Sequence, residues 1–193
     1  VAGRKVLALR VNYVGELGWE LHVPMADLVH VYDAVWQAGE PLGIADFGMY
    51  AMESLRLEKG YRSWKQDITQ EYTPFDAGLE RFVTPAKGDF IGRAALLERH
   101  GKGEVERFVP LIVDTPTADA LTCSIVFDGN TQVGIVGSGG YGHRIGKSIA
   151  LAYVRKDLAA PGSKLEIEIL GKRYPATVAQ EPIYDPKNER LRA

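Results

Sequence analysis

From residue 105 onward the chain is a succession of strand-length, β-branched runs broken by turn residues, and this texture restricts the fold more than any other feature of the sequence. The runs are Arg107–Val113, Ser124–Phe127 ahead of Asp128-Gly129-Asn130, Val133–Val136, Ser148–Val154, and Lys164–Leu170 ahead of Gly171-Lys172. Asp128-Gly129 and Leu170-Gly171 are hairpin-type turns, because glycine enters the left-handed region without steric cost. Short strands at this spacing predict a small antiparallel barrel or sandwich. The Gly101-Lys102-Gly103 stretch is the natural boundary ahead of them, dividing the chain into 1–104 and 105–193.

The first segment mixes strands and helices, so the expected class is α+β. Residues 5–14 and 18–23 read as two strands around a glycine-bounded turn. Met25, Leu28, Val29, Tyr32, Val35 and Trp36 recur at helical spacing, with Gly39 as the stop. Asp46 is placed to cap a second helix with apolar positions Phe47, Ala51 and Leu55, and Gly60 lies beyond its end. Ala94–Arg99 predicts a short third helix. Arg56 and Glu58 in the second helix read as part of a charged, solvated face.

Composition excludes several function classes. A formal charge of −2 gives no electrostatic footprint for nucleic acid or an anionic membrane surface, and no apolar run is long enough to span a bilayer. The lone cysteine, Cys123, rules out an internal disulfide and fits a reducing compartment, the cytoplasm or a mitochondrial matrix. It reads as a small, half-buried apolar residue. The sequence opens on Val1 within a few residues of a strand, and it is expected to be a piece of a longer polypeptide.

Most candidate chemistry is thin. His22, His30, His100 and His143 are too scattered to suggest a metal site. Gly137-Ser138-Gly139-Gly140-Tyr141-Gly142 matches G-x-G-x-x-G, with Asp157 at the distance of a ribose-binding acid. A dinucleotide site needs a helix to open there, whereas His143–Ile149 brings another glycine and then a strand-like run. A tight connection between strands is the simpler reading. Asp67, Asp76, Glu80 and Asp89 read as solvated or capping carboxylates, and no residue is assigned a catalytic role.

The hairpin Asn12–Leu21 is richer. A carboxylate there offers two acceptor oxygens in one plane, matching any ligand with two adjacent N–H donors. An aromatic such as Tyr13 would bound a pocket for a flat ring. Read without any family context, the same residues are a surface hairpin with an exposed glutamate.

The segment Gly15-Glu16-Leu17-Gly18-Trp19-Glu20 resembles the G-E-x-G-[YFW]-E element of the glycine-cleavage T-protein family, the tetrahydrofolate-dependent aminomethyltransferases. Ser54–Arg62, Asp76–Val83 with Asp89–Gly92, and Gly134–Tyr141 with Gly146–Val154 resemble further elements of that family. The ending Glu181–Arg192 is similar to the folate modules of flavin-dependent dimethylglycine and sarcosine dehydrogenases. Met52 stands where the T-protein pattern has an arginine, beside Glu53, which favours the dehydrogenase-type relatives.

The resemblance implies part of a ferredoxin-like folate-binding domain over 1–104 and a carboxy-terminal β-barrel over 105–193. It implies that Glu20 binds the pterin and that Tyr13 lines the folate pocket. It also implies tetrahydrofolate as cofactor, FAD in an amino-terminal domain of the parent, and a catalytic aspartate upstream of the hairpin. The expected function is therefore that of a fragment of a one-carbon transferase, with a non-catalytic folate-binding or interaction module as the alternative. Its expected partners are folate and the remaining amino-terminal region, and an uncovered sheet edge makes self-association of the fragment an expectation. Strict alternation places Tyr13 opposite Trp19 and Glu20 beside Asn12 on the other face.

Overall fold

A computed structural model describes all residues, Val1–Ala193. Its dominant element is a closed six-stranded antiparallel barrel of β3 (Glu106–Val113), β4 (Ile125–Asp128), β5 (Thr131–Gly142), β6 (Lys147–Arg155), β7 (Lys164–Ile169) and β8 (Lys172–Val178). The order around the barrel is β3-β6-β5-β4-β7-β8, so β3 closes the ring by pairing with both β6 and β8. Closure leaves no unpaired edge, which is how small all-β units avoid templating further strands.

Alternation along β3 sends Val109, Leu111 and Val113 inward, where they meet Val126, Val136, Ala150, Ala152, Val154 and Ile167. Ala150 and Ala152, at two of the inward positions of β6, leave room for these branched neighbours. The outward residues of β6, Ile149, Leu151 and Tyr153, are also buried, under Leu57, Ala77 and Phe108. A strand covered on both faces explains why Ile149–Val154 is uniformly apolar.

The other elements lie outside the barrel. A two-stranded sheet pairs β1 (Leu7–Leu9) with β2 (Glu20–His22). Helices α1 (Leu28–Gly39), α2 (Met49–Glu58), α3 (Arg93–Gly101) and the short α4 (Glu189–Arg192) complete the mixed α+β architecture. No helix is long and apolar enough to cross a membrane.

Several expectations need correction. The hairpin strands are far shorter than 5–14 and 18–23, and their register pairs Leu9 with Glu20 rather than Tyr13 with Trp19. Asn12 is the cause: its side-chain oxygen accepts hydrogen bonds from the amides of Val14 and Gly15 at 3.1 and 2.7 Å, a local turn that competes with the ladder. The first helix ends at Gly39 as expected, but that residue is right-handed; the chain tightens through Glu40–Leu42, and the left-handed residue is Gly43. Asp46 does not cap α2, whose N-terminal flank is Gly48; its carboxylate instead accepts the Tyr32 hydroxyl.

The apolar stripe of α1 is largely uncovered, with Val29 71% exposed and only Val31 buried. Conversely, α2 buries charge, for Arg56 and Glu58 are sealed in and Phe47 is exposed. Asp67 is fully buried too, as the partner of Arg56. Cys123 is exposed with a positive φ, in a turn where the Ser124 amide donates to the Leu121 carbonyl. The G-x-G-x-x-G glycines lie within β5 itself, with an irregularity between Val136 and Ser138, and no helix opens after them. Gly137 and Gly139 are bare because a Cβ would collide with the Asp67 carboxylate and the Ala120 carbonyl respectively.

Candidate functional site

Four separate segments converge on a cavity of about 560 Å³: the hairpin loop (Arg10–Tyr13, Leu17, Gly18), the stretch after α2 (Tyr61, Arg62, Ile68), the turn residues Leu79, Arg81 and Phe82, and the chain's end (Leu191, Arg192). This volume falls in the usual range for small-molecule sites. A second hollow of about 270 Å³ shares Tyr61, Arg62, Leu79, Arg81 and Leu191 and reaches Lys59 and Glu181.

The wall is fixed by buried ions on α2. Glu58 accepts from the amides of Arg144 and Ile145, at 2.6 and 3.1 Å, and pairs with the Arg144 guanidinium. Arg144 reaches on to Glu16 and to the Val14 carbonyl, and lies 3.7 Å from the centre of the Tyr184 ring. One side chain thus ties the hairpin loop and the carboxy-terminal segment to the turn between β5 and β6. Lys59, buried beside it, donates to the carbonyls of Tyr184 and Asp185 at 3.3 and 2.7 Å. Asp185 in turn accepts from the amides of Glu189 and Arg190, setting α4. The Leu17 amide donates to the Arg190 carbonyl at 3.1 Å, closing the cavity's rim.

A second buried group seats the stretch after α2 on the barrel. Arg56 donates to Asp67 and to the Ser138 hydroxyl at 2.9 and 2.8 Å, and the Ser63 amide also donates to Asp67. The Tyr153 hydroxyl donates to the Asp67 carbonyl. Every buried side-chain nitrogen and oxygen has a partner. Truncating one member would leave an uncompensated buried charge, which costs about 3–5 kcal/mol.

Within the cavity Tyr13 and Tyr61 stack nearly parallel, with ring centres 6.0 Å apart. The Tyr13 hydroxyl donates to the Arg62 carbonyl at 2.8 Å. Burial raises the pKa of both phenols above their ordinary 10, so both stay neutral and present ring faces rather than an acid or base. Arg62 is itself held by Glu181 and by the carbonyls of Gly60 and Ala77.

The structure separates the two site residues named from sequence. Tyr13 lines the cavity. Glu20 does not; it sits on β2 opposite Leu9, the neighbour of the lining residue Arg10, with its carboxylate 3.7 Å from His22 and more than half exposed. Sequence reasoning missed Tyr61, Arg62, Arg81 and Arg192. Their only signal was that they fall inside the stretches carrying the family resemblance.

Residues 1–87 match the family model described as the GCVT N-terminal domain, and residues 107–185 match the glycine cleavage T-protein C-terminal barrel domain. Human mitochondrial dimethylglycine dehydrogenase is 42% identical over 194 residues, covering 99% of this chain and 22% of that protein. An aminomethyltransferase of Saccharopolyspora erythraea is 35% identical over 185 residues, covering 95% of this chain and 50% of that protein. The crystal structure of the glycine cleavage system aminomethyltransferase T from Bartonella henselae matches with a TM-score of 0.84 at 28% identity, covering 92% of this chain and 49% of that one. The chain therefore spans between about a fifth and a half of the length of these relatives.

Proposed function

The chain belongs to the glycine cleavage T-protein family, and from that premise we propose that it forms the folate-binding part of a one-carbon transferase, of the kind joined to flavin-dependent N-methyl-amine dehydrogenases. The observation that carries this reading is the cavity beside the family hairpin, walled by the stacked rings of Tyr13 and Tyr61. Flat aromatic walls suit a pterin or benzoyl ring, and offset stacking is worth about 0.5–1.5 kcal/mol beyond burial.

Bound tetrahydrofolate would supply the nitrogens that take a one-carbon unit from the oxidised amine, while FAD in the parent would perform the oxidation. The residues present act by orientation. Tyr13 and Tyr61 hold the ring plane. Arg144 and Lys59 keep the hairpin loop and the chain's end in register around it. Glu20, paired across the hairpin with Leu9 beside the lining residue Arg10, is assigned to the pterin's paired donors, because the lining itself offers no carboxylate. Reaching them requires the β1–β2 hairpin to turn Glu20 toward the mouth, a motion its exposure permits.

The test is anaerobic titration of the chain with tetrahydrofolate, followed by calorimetry and by the fluorescence of exposed Trp19. Saturable binding with Trp19 quenching is expected, weakened about tenfold or more by Glu20→Gln through loss of a charge-assisted pair. Equal affinity of the two proteins would remove Glu20 as anchor. Absence of saturable binding to the wild type would remove the folate reading.

A further inference from the structure

The lining of the main cavity contains four arginines, Arg10, Arg62, Arg81 and Arg192, and no aspartate or glutamate. Such an excess of one sign is notable in a chain whose formal charge is −2. Arg62 is already neutralised by Glu181. The other three make no side-chain hydrogen bond or ion pair within the chain. Arg81 only rests on the Phe82 ring, 4.6 Å from its centre.

Elsewhere the arginines are occupied. Arg4, Arg56, Arg107, Arg144, Arg155 and Arg173 pair with carboxylates, and Arg93 and Arg99 donate to carbonyls. Only Arg190 shares the unpaired state, so three of the chain's four uncommitted guanidiniums surround one hollow. An anion among them would offset their mutual repulsion, and each offers a planar fork of donors that matches a carboxylate.

We propose that Arg81 and Arg192, aided by Arg10, form a subsite for a dianion, holding the two carboxylates of the glutamyl end of folate while the rings of Tyr13 and Tyr61 hold the aromatic part. The proposal rests on the folate reading above and adds to it the residues that select a charged tail. The apolar residues Leu17, Ile68, Leu79 and Leu191 line the same cavity and suit the uncharged linker. All three guanidiniums belong to exposed residues, so the attraction is screened by salt and acts on specificity and capture as much as on affinity.

The experiment compares tetrahydrofolate with its dimethyl ester, which keeps the rings and the linker and removes both charges. Wild type, Arg81→Gln, Arg192→Gln and the double variant of the full chain are titrated by calorimetry. Each single change is expected to weaken tetrahydrofolate about five- to tenfold, and the double change more than either. The ester should bind all four proteins alike. If the double variant binds tetrahydrofolate as wild type does, or loses the same factor for the ester as for the acid, the subsite is overturned while the folate reading stands. If wild type binds neither probe, both fall together.

Discussion

Glu104 meets two nitrogens at once, accepting from the Lys156 amine and lying against a ring nitrogen of His100, each at 2.5 Å. The Lys156 hydrogen bond, more than any other influence, pulls its carboxyl from an ordinary 4.5 to about 2. A depressed carboxylate stabilises the fold above its unfolded pKa, and that stability is lost as pH falls through the folded value. Glu104→Gln is therefore expected to lower the urea midpoint at pH 7 by an amount equivalent to about 1 kcal/mol or less, given how exposed Lys156 is. The difference should shrink between pH 4.5 and 2, read from paired unfolding curves. At this scale the sequence was a partial guide. Tyr13 could be named because it stands in a recognisable hairpin, and the structure puts it on the cavity wall. Arg56 and Glu58 were read as solvated, and Asp67 as solvated or capping, because part of what encloses them is remote in sequence; Ser138 and Arg144 lie more than eighty residues from Arg56 and Glu58 respectively. A charged residue on a helix advertises its exposure only when nothing folds back onto it.

The barrel's strands were legible because β-branched runs and glycine turns are local signals, and the observed limits differ from the expected ones mainly where β5 runs on through its glycines. Those glycines were read as a connection because the residues they make room for lie outside the strand. Gly139→Ala tests this directly. Its Cβ would enter the space of the Ala120 carbonyl, and backbone cannot rotate away as a side chain can. A loss of about 1–3 kcal/mol is expected from the urea midpoint, whereas Gly129→Ala, in open space but at positive φ, should lose only the smaller penalty of its backbone angle. The hairpin was less legible than the barrel. Its register follows from the turn that Asn12 builds with its own side chain, a preference that alternation of apolar residues does not report.

Across the whole molecule burial is uneven. The barrel is sealed on every strand, while β1, β2, the turn ahead of α1 and α1 itself present Leu7, Leu9, Leu21, Met25, Val29 and Tyr32 to solvent. Exposed apolar residues in this number, beside a sheet with two open edges, favour association. Sedimentation velocity across a concentration series should show the chain self-associating, with Leu7→Lys shifting it toward monomer; a single monomeric species throughout would refute this.

Lys59 shows what the uneven burial means for chemistry at the surface. Its side chain is 2% exposed and its amine is engaged with the carboxy-terminal segment, whereas Lys102 and Lys156 are open to solvent. An acylating reagent should therefore modify Lys102 and Lys156 within the first minutes and leave Lys59 untouched until Tyr184–Asp185 peels away. The mass spectrum of that one lysine becomes a clock for detachment of the tail. Because the same tail carries Leu191 and Arg192, a ligand in the cavity would slow the clock without touching the amine.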